Sequence, residues 1–82
     1  MERRYKQEVL DQLATHGVRP TRAISPDFVR GFINDLYRFE LRRLRDRLLR
    51  REIVKSDYHD HVLGVRRRYS VLELRTWQWM EP

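Results

Sequence analysis

The chain has 82 residues, 40% hydrophobic and 37% charged, with a formal net charge of +6, three glycines, three prolines and no cysteine. That length predicts one small domain, and the balance is too apolar for disorder and too poor in Gly and Pro for an all-β fold of many tight turns. The missing cysteines exclude disulfide scaffolds, thiolate metal sites and cysteine nucleophiles; no apolar run approaches the ~18 residues of a membrane span, and no signal-peptide core follows the first residues, so a cytoplasmic protein is expected and a membrane partner is not.

The expectation is an all-α fold, a single helical domain over 1–82: three helices with a long central one, and an extended C-terminal arm. Tyr5, Val9 and Leu13, with Leu10 beside them, form one apolar face and predict a first helix over about 3–15. Gly17 then stands where a left-handed C-cap is needed, with Val18 to supply the apolar contact beyond it. Arg19-Pro20 belongs to a loop, because the residue before a proline avoids the helical region.

The second helix has the clearest start. Ser25 is an N-cap, Pro26 falls at the first helical position, Asp27 meets the positive end of the dipole, and Ile24 and Val29 occupy the staple positions. Nothing breaks the pattern before about residue 51, which gives a helix about 38 Å long. Phe28, Val29, Phe32, Ile33, Leu36 and Phe39 gather on one side, and Tyr37, Leu41, Leu44 and Leu48 on another. Two apolar faces need two partners: the first helix for the first half, a third helix for the second.

The third helix is expected over about 57–69, capped by Ser56 or Asp57, with Tyr58, Val62, Val65 and Tyr69 as its stripe. The short linker 52–56 makes it antiparallel to the second helix, with Tyr37, Leu41, Leu44 and Leu48 facing Val62, Val65 and Tyr69. Residues 70–82 lose helical period. Leu72, Leu74 and Thr76 alternate with Glu73, Arg75 and Trp77, which reads as an extended arm with no second strand to pair with.

All but two of the 18 cations are arginine, Lys6 and Lys55 being the only lysines. Residues 28–55 hold nine bases against four acids, whereas 1–17 are neutral, so the excess sits on the second helix. Arg43, Arg47, Arg50 and Arg51 share one face there, and like charges at that spacing oppose helix formation. Their neutralisers are internal (Glu40, Asp46, Asp57, Asp60), or else phosphate or an acidic protein. Arg66-Arg67-Arg68 suits the negative end of the third helix.

Asp57 and His61 are two potential metal ligands one turn apart, with His16 as a distant third, which is too few to predict a metal. No nucleophile elbow or Gly-rich phosphate loop is present, so neither enzyme nor cofactor is expected. Trp77 and Trp79 point the same way on an extended segment, with Arg75 and Gln78 beside them: a partner anchor, or a lid over the protein's own core. The function expected is a non-enzymatic interaction protein, an accessory subunit or adaptor of a larger intracellular assembly. Its contacts would be the arginine face and the anchor Arg75, Trp77 and Trp79, and its partner a protein or a second copy. The alternative is a nucleic-acid-binding protein that places the second-helix arginines on phosphates.

Overall fold

The computed structural model describes residues 4–21 and 23–82. Among them are three helices, α1 (Gln7–Thr15), α2 (Pro26–Leu49) and α3 (Lys55–Arg68), followed by two 3-10 turns, Ser70–Glu73 and Thr76–Trp79. The particle is a rod of 52 × 18 × 17 Å, because α2 alone is about 36 Å long.

The helix ends follow the chemistry of their residues. Ser25 Oγ accepts from the Phe28 backbone N–H at 3.2 Å, and Pro26 opens the helix. α1 ends in a Schellman motif: Val18 N–H donates to the Leu13 carbonyl, Gly17 N–H to that of Ala14, and Gly17 has φ +75°. α2 ends in the same way, with Glu52 N–H donating to Arg47 and Arg51 N–H to Leu48, but here the left-handed residue is Arg51, at φ 61°. A Cβ makes that conformation costly. Arg51→Gly should therefore stabilise the protein by about 1 kcal/mol, read as a higher denaturant midpoint at unchanged slope.

α2 and α3 form the expected antiparallel hairpin. Leu44 and Val65 are buried between them with Tyr69, and Tyr37, Leu41, Tyr58 and Val62 pack around these. Tyr37 and Tyr69 meet at 5.3 Å between ring centroids, and Arg68 at the end of α3 lies 3.6 Å from Glu40 in the middle of α2. α3 begins at Lys55, two residues earlier than expected, and Val54 occupies the cap position without a side-chain bond. Ser56 and Asp57 therefore stand in the first turn instead of capping it.

The N-terminal part departs from expectation. Tyr5 is not helical; it forms an antiparallel bridge with Met80. Lys6 N–H donates to the Trp79 carbonyl at 2.8 Å, and Glu81 N–H donates to that of Arg4 at 2.7 Å. The C-terminal segment thus pairs its backbone with residues 4–6, where the sequence pattern predicts no second strand. Up to that pairing it is not extended, since residues 70–79 are mostly coiled into the two 3-10 turns. These turns approach the first half of α2 more closely than α1 does. Arg30 of α2 fixes them, with Nη2 donating to the Leu72 carbonyl at 2.8 Å and Nε to that of Leu74 at 3.3 Å. α1 closes the other side, where Val9 and Leu13 are buried with Val29, Ile33, Val71, Trp79 and Met80. His16 stacks on Tyr69 at 4.1 Å and its Nε2 donates to the Arg68 carbonyl at 2.7 Å, which ties the end of α1 to the end of α3.

Only part of the first apolar face of α2 is buried by this arrangement. Val29 and Ile33 lie in the core and Leu36 at its margin, but Phe28, Phe32 and Phe39 are exposed. The six residues span too wide an arc for two small 3-10 turns and a nine-residue helix to cover.

Candidate interaction surface

The two tryptophans part company. In a 3-10 turn residues two apart lie on different sides, not on the same side as in a strand. Trp79 is fully buried, and its Nε1–H donates to the Val71 carbonyl at 3.1 Å. It is the lid of the core and is not available as the partner anchor expected of it. Trp77 remains 68% exposed. Its turn is held rigid from both ends: the Arg75 N–H donates to Gln78 Oε1 at 2.7 Å, and the Gln78 N–H donates back to the Arg75 carbonyl at 2.8 Å. Gln78 is therefore engaged within its own turn and does not form a rim around the aromatic pair. Trp77 and Arg75 stand at an open groove that also takes in Pro20, Ile24, Pro26 and Arg30. Its lining mixes apolar and polar side chains, and Asp27 and Glu73 share it with the guanidinium groups of Arg30 and Arg75; an aromatic beside an arginine is common at the centre of protein interfaces.

The arginine face divides in two. Arg43 and Arg47 line a shallow furrow between α2 and α3, with Glu40, Asp60, His61 and Arg68 also on its walls. Arg43 lies 5.9 Å from the centroid of the Phe39 ring, and Arg47 Nε is 3.7 Å from Glu52 Oε2. Glu40, on the same furrow, lies 3.6 Å from Arg68. Asp46 meets Arg50 through its backbone, Arg50 Nε donating to the Asp46 carbonyl at 3.4 Å. Arg50 and Arg51 are exposed at the tip of the hairpin, with Lys55 nearby in sequence and also exposed. Exposed pairs of this kind contribute about 0–1 kcal/mol, so the face remains open to a stronger anionic partner.

Tyr69 is the most perturbed group. Burial in the hairpin pushes its hydroxyl up to about 12, and the neighbouring Glu40 carboxylate adds to the rise, while Arg68 opposes it. A phenol held neutral in the fold but free to ionise near 10 when unfolded stabilises the fold fully below pH 10 and loses that contribution as pH climbs towards 12. Stability should therefore fall across that window, and Tyr69→Phe should flatten the fall. A pH series of denaturant midpoints checks both.

Among the described residues no three His, Asp or Glu side chains converge as a metal site, and no helix is long and apolar enough to cross a membrane. Comparison of the chain with protein-family models, with curated proteins and with solved structures gave no match.

Proposed function

We propose that the chain is a non-enzymatic interaction protein, an accessory subunit or adaptor of a larger intracellular assembly, and that Trp77 and Arg75 form the centre of its contact. The observation that carries this is the contrast between the two indoles. Trp79 is buried and hydrogen-bonded, whereas Trp77 is held outwards by the same short turn. The turn already orders the backbone that carries Trp77, so a partner that covers the indole meets little further backbone ordering cost. Trp and Arg are the residues most often found at the energetic centre of interfaces. The test is purification of the tagged full chain from its host with nuclease and high salt. A protein retained under both conditions and lost from Trp77→Ala supports the reading. Nothing retained, or equal retention by the variant, removes it.

Nucleic-acid binding is the second reading, favoured by Arg43 and Arg47 in the furrow and by Arg50, Arg51 and Lys55 exposed at the tip. Phosphate contacts from the four arginines alone imply a log–log salt slope of roughly −2.8 on single strands and −3.6 on duplex. Reversing the charges of Arg47 and Arg51 should lower both affinity and slope. A flat salt dependence, or no binding at low salt, ends this alternative.

A further inference from the structure

α2 has one more face, roughly opposite the side buried by α3 and the C-terminal turns. Phe28, Phe32, Asp35, Phe39, Arg42 and Leu49 lie on it, with Asp46 between the last two, and all are exposed. Phe28 and Leu49 are each 69% exposed, Phe39 54% and Phe32 48%. The steps between these seven residues alternate four and three along the whole helix, the spacing of a seam that meets another helix. Three phenylalanines in one such row are unusual on a surface meant only for water.

We propose that this face is closed by a second copy of the chain, α2 against α2, antiparallel about a two-fold axis between Arg38 and Phe39. The pattern is self-complementary about that point. Phe28 falls opposite Leu49 of the second copy, and Asp35 falls opposite Arg42 of the second copy. The two-fold axis repeats each contact. Phe39 sits beside the axis and meets its own counterpart. Phe32 falls beside Arg45 and Asp46 of the second copy, where a guanidinium can lie over the ring. The parallel arrangement in register fails on charge, because it sets Asp35 on Asp35, Arg42 on Arg42 and Asp46 on Asp46. A nucleic acid would meet two carboxylates and three phenyl rings here, and a lipid surface would meet three charges along the row. The antiparallel copy answers Phe28 with Leu49 and Asp35 with Arg42, which the parallel one does not.

This face is distinct from the Trp77 groove, and the proposal stands or falls separately from it. The test is the mass of the purified full chain by sedimentation equilibrium from micromolar to millimolar concentration. A reversible monomer–dimer equilibrium is expected. Asp35→Arg alone, or Arg42→Asp alone, sets like charges across the seam and should raise the dissociation constant at least ten-fold. The double variant restores the complementarity and should regain most of the wild-type affinity. Both positions are exposed, so circular dichroism should show unchanged helicity, and Trp77→Ala should leave the dimer intact. A monomer throughout the range overturns the proposal. So does a dimer indifferent to the single reversals, or a double variant no better than either single one.

Discussion

Trp79→Ala should destabilise the protein by roughly 3–5 kcal/mol. The side chain is fully buried where α1, the first half of α2 and the terminal segments meet, so its removal opens a cavity shared by all of them. The Val71 carbonyl also loses the indole N–H that it accepts at 3.1 Å. A chain of this size has a total stability on the order of 4–12 kcal/mol, so the variant should be partly unfolded at moderate temperature. Trp79→Phe keeps most of the packing and should be the milder substitution. Trp77→Ala, two residues away, should stay within about 0.5 kcal/mol of wild type. Urea denaturation of the three variants tests this placement, and equal losses at positions 77 and 79 would contradict it. Truncation after Leu74 should resemble Trp79→Ala, because it removes the same lid.

Leu44→Ala should cost roughly 2–5 kcal/mol. Leu44 is the buried residue in the second half of α2 and packs in the same cluster as Val65 and Tyr69 of α3. The rod is thin here, and among the described residues no third layer lies behind the hairpin, so the remaining side chains have few ways to close the gap. A denaturant midpoint unchanged by the substitution would show that the two helices are not paired at this point. Val54→Ala, at an exposed position of the linker between the two helices and outside the seam proposed above, is the control and should change folding stability little.

The helix ends were legible because each rests on one residue with a local reason: Ser25 with Pro26 at the start of α2, and Gly17 with Val18 at the end of α1. The hairpin was legible because two long apolar stripes flank a short linker. Residues 70–82 were not. Alternation at Leu72, Leu74 and Thr76 suggests a strand, but 3-10 turns leave no hydrophobic period of their own to distinguish them. What fixes this segment lies far away in sequence: Arg30 on the carbonyls of Leu72 and Leu74, and Arg4 and Lys6 on the backbone of residues 79–81. Trp79 parts from Trp77 for the same reason, since a turn separates what a strand would align. The phenylalanines of α2 show the opposite difficulty. Their spacing places them correctly on a helix, yet only packing decides how wide an arc is covered, and Phe28, Phe32 and Phe39 fall outside it. Arg30 could not be told apart from the other arginines, because nothing in its neighbours reveals that two backbone carbonyls will come within its reach.

The central claim is that Trp77 meets a protein partner, and the most direct measurement is photo-crosslinking from that position. A photo-reactive phenylalanine analogue at residue 77 of the full chain, illuminated in living host cells, should give a discrete crosslinked protein adduct that survives nuclease. The same analogue at exposed Glu8 on α1 should not give it. No adduct from position 77, the same adducts from both positions, or an adduct removed by nuclease would contradict the claim.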